Sequence, residues 1–339
     1  MRRRVLGAMA FAGTAAGGAA LGCLAERRAS EQADPGDWEE SLSRDPVEVT
    51  AADGTRLHAE VSGREDAPTL VLAHGVGLSS RTWHHQRRDL AHELRVVAFD
   101  HRGHGRSERG EDCSIESLGH DLAAVIERCA PTGPLLLAGH SMGAMAILSL
   151  AEGYPGLVRD RVRGAAMCNT AAVAALGGAL ASVTAGVLST VQARLAGSKV
   201  ARGRLLRSQD PDDRPSTDLS LLLTRQFGMA RDASPETVAF LERELRACPP
   251  IVLAAFAPGL ATLDMREAAA RLRLPTLVVV GERDRMTPPR QGRILAELLP
   301  MGDIVELAGV GHTTMLEAPD VVTGALRALA DEVLDREVA

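Results

Sequence analysis

The sequence predicts an α/β fold: a mostly parallel central sheet with helices on both faces and an inserted helical cap. Short continuous apolar runs at Thr69–Ala73, Val96–Phe99, Leu135–Ala138 and Leu277–Val280 suit strands buried on both faces of a sheet. Longer segments alternate with them. In Ile115–Cys129 the apolar residues Ile115, Leu118, Leu122, Val125 and Ile126 recur at helical spacing. Such alternation implies helices packed against parallel strands. The rhythm breaks between Ala171 and Leu263, a stretch that reads as helical and holds no clear strand.

The elements follow in order. Val47–Thr50 and Arg56–Val61 flank Asp53-Gly54, a turn pair that predicts a hairpin. The strand Thr69–Ala73 ends at His74-Gly75, and a helix is expected over Thr82–His92. Val96–Phe99 is a strand ending at Asp100, and Ile115–Cys129 a helix. Leu135–Ala138 is a strand, Gly143–Tyr154 a helix and Val162–Met167 a strand. Strands at Leu277–Val280 and Ile304–Leu307 enclose a helix at Gln291–Leu299, and Val321–Leu334 is a closing helix. The expected organisation is an export signal or membrane tether at 1–30, a linker at 31–46, a core at 47–170, a cap at 171–263 and the rest of the core at 264–339. The span from Gly164 to Ala193 carries no charge. Gly177-Gly178 and its Thr and Ser residues make it a poor membrane span, so it reads as a buried strand followed by an apolar cap helix.

Composition narrows the function classes. The chain of 339 residues is 45% hydrophobic and 24% charged, which argues against wholesale disorder, a collagen-like fibre or a multi-span membrane protein. A net charge of −6 argues against a dedicated nucleic-acid binder. At 2% aromatic residues, a base-stacking platform or aromatic carbohydrate cleft is not expected. Cys23, Cys113, Cys129, Cys168 and Cys248 form no C-x-x-C pair, so neither a zinc site nor a redox motif is expected. In an exported protein one bridge stays open, with no pairing assigned.

The N-terminus starts with Arg2-Arg3-Arg4 and continues uncharged from Val5 to Ala25. A basic start and an apolar stretch ending in small residues describe an export signal. Arg2–Leu6 resembles a twin-arginine signal, and Ala20-Leu21-Gly22 before Cys23 offers a cleavage site. The expected location is the cell envelope, exported or membrane-associated; if the segment is not a signal, it is the cytoplasm. Glu31–Arg44 is polar, contains Pro35-Gly36, and reads as linker.

The chemistry centres on Gly139-His140-Ser141-Met142-Gly143, a G-x-S-x-G motif between a buried strand and a helix. A sharp strand-to-helix turn lifts the serine hydroxyl out of the sheet, and glycines two residues either side leave room for it. A serine hydroxyl needs a base, and the base needs an orienting acid. For such a turn the chain order is Ser, then Asp or Glu, then His. Asp284 follows the strand Leu277–Val280 and is preferred over Glu282 and Asp264. His312 follows Ile304–Leu307 and is the only histidine after His140. The candidate catalytic residues are therefore Ser141, Asp284 and His312. His74 reads as a loop brace. Asp100, His101 and His104 could suggest a metal site, and His84-His85 is only a weak metal signal. Trp83 and His140 are candidate pocket residues; Trp83 reads equally as a core residue, and His140 as a packing neighbour rather than a proton carrier.

With these residues the chain resembles the α/β-hydrolase superfamily, in its serine esterase/lipase-like branch with a helical cap, over roughly residues 47 to 336. The carrying segments are His74-Gly75, the run Asp100-His101-Arg102-Gly103-His104-Gly105-Arg106-Ser107, the turn at 139–143, and the Asp284 and His312 loops. The resemblance implies an oxyanion hole built from the backbone N–H groups of Val76 and Met142, and a structural turn rather than a metal site at Asp100, His101 and His104.

The expected activity is cleavage of a carboxylic ester through an acyl-enzyme, with no metal or organic cofactor. The serine argues against epoxide hydrolases and haloalkane dehalogenases, which carry Asp at the turn. The uncharged stretch at about 171–190 favours an apolar acyl group, so the expected partner is a small-molecule ester or lipid-like substrate, with membrane association through the N-terminal segment as a further expectation. Two alternatives stand beside it. One is an acyl-transfer, cyclising or thioesterase-type tailoring enzyme on the same residues; the other is a non-catalytic binding scaffold.

Overall fold

A computed structural model describes residues 45–174 and 224–334. The expected segment 1–30, most of the linker 31–46 and the cap helix expected at about 171–190 lie largely outside these residues.

Eight strands form one sheet: β1 (Asp45–Thr50), β2 (Arg56–Gly63), β3 (Thr69–Ala73), β4 (Arg95–Phe99), β5 (Leu135–His140), β6 (Val162–Cys168), β7 (Thr276–Gly281) and β8 (Gly302–Leu307). Their order is β1-β2-β4-β3-β5-β6-β7-β8. β2 pairs antiparallel with β1 and β4, and every pair from β4 to β8 is parallel. The hairpin expected at Asp53-Gly54 is present: Gly54 has φ +84° and Thr55 N–H donates to Asp53 Oδ1 at 3.0 Å. β1 starts two residues before the expected linker boundary. Pro46 pairs with Glu60 there, tolerated because β1 is an edge strand.

The helices among the described residues are α1 (His84–Leu90), α2 (Ile115–Cys129), α3 (Met142–Gly153), α4 (Pro155–Arg161), α5 (Pro235–Ala247), α6 (Pro250–Ala261), α7 (Arg266–Arg271), α8 (Pro289–Leu298), α9 (Thr314–Glu317) and α10 (Pro319–Leu334). The helix expected from Thr82 begins with a 3₁₀ turn, Ser80–Trp83, and continues as α1. α2 starts where expected because the Ser114 hydroxyl accepts from Ser117 N–H at 3.0 Å, an N-cap. The short helices α4, α7 and α9 had no counterpart in the reading of the sequence. No helix among the described residues is long and apolar enough to cross a membrane.

The central strands bury both faces, as their unbroken apolar runs require. Val71, Val97, Leu137 and Val278 pack with α2, α3 and α8 on one side. Leu70, Leu72, Val96 and Leu136 pack with α1 and α10 on the other. In-register parallel pairing brings the carboxyl ends of β3, β5, β6, β7 and β8 to one edge, where open α/β sheets place their sites. After β6 the chain leaves the sheet and returns beside its point of departure. Val173 bridges Asp264, and Met265 N–H donates to Ala172 O at 2.7 Å.

One buried ion pair fixes the loop after β4. Arg102 Nε and Nη2 donate to both carboxylate oxygens of Asp121 on α2, each at 2.6 Å, and Nη1 reaches Asp53 at 2.8 Å. Removing one partner of such a pair strands a buried charge. Asp121→Ala is therefore expected to destabilise the fold by about 3–5 kcal/mol in denaturant titration. Glu108→Ala, which breaks the solvent-exposed pair with Arg56, should leave the midpoint almost unmoved.

Candidate active site

Ser141 joins β5 to α3 with φ +50° and ψ −114°, a left-handed backbone unusual for a residue with a side chain. The two glycines of the motif make this turn sterically feasible. A Cβ on Gly139 would lie 2.4 Å from Ala144 N, and one on Gly143 would lie 2.2 Å from Ala73 O. Hydrogen bonds hold the strained residue from both ends. Ser141 N–H donates to Cys168 O at 2.9 Å, while Ser141 O accepts from Ala144 N–H at 3.0 Å and from the Thr170 hydroxyl at 2.9 Å.

Asp284 lies on the loop after β7 and His312 on the loop after β8. His312 Nδ1–H donates to Asp284 Oδ2 at 2.9 Å. That bond leaves Nε2 with its lone pair, the tautomer a base needs. Four more donors converge on the same carboxylate. Met286 N–H and Thr287 N–H donate to Oδ1 at 2.8 and 2.9 Å. The Thr287 hydroxyl and Asn169 Nδ2 donate to Oδ2 at 2.7 and 2.8 Å. Burial alone would raise the Asp284 pKa; the His312 charge and these donors outweigh it and bring the value down to about 2. The carboxylate is therefore ionised across the neutral range.

Glu317 on α9 holds the His312 loop. Its carboxylate accepts from Gly311 N–H and Thr313 N–H, both at 3.0 Å, on either side of His312. It also accepts from Ala230 N–H at 2.7 Å, tying the loop to the chain that returns towards the sheet. Gly311 packs against that chain so closely that a Cβ would lie 2.3 Å from Ala230 N.

The loop after β3 carries Gly75 and Val76, and two neutral histidines brace it. His74 donates through Nδ1 to Gly75 O at 2.8 Å and accepts His101 N–H at Nε2. His104 donates through Nδ1 to Arg102 O and accepts Gly77 N–H at Nε2, each at 3.0 Å. Burial lowers their pKa values to about 4 and about 3. Both ring nitrogens of each are thus committed within the protein. The Asp100 carboxylate likewise accepts from Ser80 N–H at 2.8 Å and Arg106 N–H at 2.9 Å. α5 and α6 cover this loop: a Cβ on Gly77 would meet Leu245 at 3.0 Å and Leu253 at 3.3 Å. The Ser79 hydroxyl and the Arg81 guanidinium reach the buried Glu244 of α5.

Two expected pocket residues are placed elsewhere. Trp83 has no exposed surface and packs in the core with Leu72, Leu90 and Met315, because the 3₁₀ turn directs it inward. His140 lies behind the site as a spacer. Its Nε2–H donates to His312 O at 2.9 Å, and its Nδ1 would stand 2.6 Å from a Cβ on Gly75. Burial lowers its pKa to about 3, so it is neutral. Asn169, Thr170, Thr287 and Glu317 were not singled out from the sequence. The only signal for the first two was their place directly after a strand end at the same sheet edge.

A serine at a strained turn, a base with a free Nε2 and a buried ionised acid are the components for moving a hydroxyl proton and forming a covalent intermediate. Comparison with known proteins agrees with the geometry. Residues 68–319 match the family model of the alpha/beta hydrolase fold. The 3-oxoadipate enol-lactonase 2 of Acinetobacter baylyi is 26% identical over 282 residues, covering 83% of this chain and 95% of that protein. The monoacylglycerol lipase of Mycolicibacterium smegmatis is 29% identical over 277 residues, covering 78% and 88%. A thermophilic esterase from Thermogutta terrifontis superposes with a TM-score of 0.68 at 26% identity, covering 85% of this chain and 99% of its own.

The Asp284 environment predicts a pH dependence. Its folded pKa lies below the ordinary 3.8, so its stabilisation is complete above about pH 4 and is lost as pH falls towards 2. The shift corresponds to about 2 kcal/mol. Denaturant titrations from pH 5 to 2 should show this acid loss in the wild type and a shallower one in Asp284→Asn.

Proposed function

This chain belongs to the α/β-hydrolase family, and from that membership we propose that it is a serine hydrolase cleaving carboxylic esters of apolar acyl groups. The observation that carries the reading is the buried Asp284–His312 hydrogen bond, at the same sheet edge as a serine held at φ +50°. Supporting it, the enol-lactonase, lipase and esterase relatives are all named for cleaving carboxylic esters or lactones.

In this mechanism His312 Nε2 takes the Ser141 proton as Oγ attacks the ester carbonyl. Asp284 holds the imidazole in its tautomer and stabilises the imidazolium. The negative charge on the carbonyl oxygen is met by the N–H groups of Val76 and Met142. Losing one such donor typically costs about 10²–10³ in rate. The imidazolium returns its proton to the leaving alkoxide, an acyl-Ser141 ester remains, and water deprotonated by His312 releases the acid. Apolar side chains of α5 and α6 over the Val76 loop, Leu245 and Leu253, favour an apolar acyl group. Export through residues 1–30 is proposed from the Arg2–Arg4 start and uncharged stretch alone.

A fluorophosphonate probe tests the reading by intact mass. The wild type should gain one adduct, Ser141→Ala none, and His312→Ala should label at least about 10²-fold more slowly. Full ester hydrolysis by Ser141→Ala would refute the mechanism. In a panel of p-nitrophenyl esters, medium chains should exceed acetate in kcat/KM; strong preference for acetate would refute the apolar-acyl assignment.

A further inference from the structure

The polar pair that follows β6 touches the Ser141 turn, Asp284 and the loop of His312. Asn169 Nδ2 donates to Asp284 Oδ2 at 2.8 Å and to Gly311 O at 3.1 Å. Its Oδ1 accepts from the Thr314 hydroxyl at 2.7 Å, and its backbone N–H donates to Val279 O at 2.8 Å. The next residue, Thr170, holds the Ser141 carbonyl. Asn169 is 1% exposed and sits at φ +48°, a backbone that asparagine and glycine adopt more readily than other residues. Resting on the serine-hydrolase reading, we propose that Asn169 is a positioning residue. It locks the acid and the loop of the base to one amide and keeps the negative charge there on Asp284 alone.

The hydrogen-bond inventory explains why the residue is an amide. The position requires two donors, towards Asp284 and Gly311 O, and one acceptor for Thr314. Only a carboxamide supplies all three in this shape. An aspartate would fit the volume and tolerate the backbone. It would set a second carboxylate against Asp284 Oδ2 and the Gly311 carbonyl. It would then either ionise, favouring the imidazolium of His312, or keep a proton and serve only one of the two acceptors.

The groups facing His312 define the charge balance. Asp284 bonds its Nδ1 from the β7 loop, and the Thr287 hydroxyl stands 3.4 Å from the same nitrogen. His140, neutral, lies at the end of β5 with its ring centroid 4.8 Å from that of His312 and tilted 59° to it. Glu317 on α9 holds its flanking amides. A new negative charge at position 169 adds to Asp284 and Glu317 with no added cation. Since the base acts in its neutral form, activity would then rise only at higher pH.

The test is the pH dependence of fluorophosphonate inactivation, resolved into probe affinity and maximal rate, for the wild type, Asn169→Asp and Asn169→Gly. Thermal unfolding is measured in parallel. Asn169→Gly keeps the backbone freedom and removes the amide. It should inactivate about ten- to a hundredfold more slowly with little change in affinity. Asn169→Asp should also move the acid limb of the profile upward by about one unit or more. If Asn169→Asp leaves the limb in place and Asn169→Gly reacts at the wild-type rate, the residue is scaffold and the proposal fails. It fails equally if both variants react at the wild-type rate. Should Asn169→Asp not fold, the rate and affinity of Asn169→Gly decide. A wild-type protein that neither labels nor hydrolyses esters would instead overturn the serine-hydrolase reading, and this proposal with it.

Discussion

Gly143 seats the first turn of α3 so close to the end of β3 that a Cβ would stand 2.2 Å from the Ala73 carbonyl oxygen. That contact places the start of α3 over the carboxyl edge of the sheet, and Ser141 makes the turn into it with a positive φ of 50°. Strain of this kind costs about 1–3 kcal/mol and persists only where the surroundings over-determine it. Here Cys168 O, Ala144 N–H and the Thr170 hydroxyl do so. The loops after β3, β7 and β8 are then arranged around a serine whose position is already set.

Electrostatically the site is built by keeping most buried groups neutral. His74, His104 and His140 are held well below the usual imidazole range by burial, and each uses ring nitrogens to fix backbone rather than to carry protons. Asp284 is the contrast, a buried carboxylate saturated by neutral donors and the imidazole. Only where donors are that dense does an ionised carboxylate tolerate burial. The Asp284 charge therefore acts through one strong bond to His312.

Among the described residues, two carboxylates help tie the chain between β6 and β7 to loops of the site. Glu317 links Ala230 to the amides around His312, and Glu244 of α5 meets Ser79 on the far side of the Val76 loop. Leu245 and Leu253 fill the space above Gly77.

Local chemistry made much of this legible in the residues alone. Unbroken apolar runs mark strands buried on both faces, helical spacing marks α2, and the glycine spacing around Ser141 marks the turn. Chain order singled out Asp284 and His312 because each follows a strand end at the same sheet edge. Residue patterns alone therefore carry the fold class and place the strand ends to within two residues, since both depend on periodicity, while the three candidate catalytic residues follow from the Ser141 turn and from chain order. Only the tertiary structure settles that Trp83 belongs to the core and that Asn169 and Glu317 hold Asp284 and the His312 loop. Those assignments rest on contacts such as Asn169 with Asp284, 115 residues apart in the chain. A buried donor's partner is settled by which loops the sheet brings together, and no local pattern encodes that meeting.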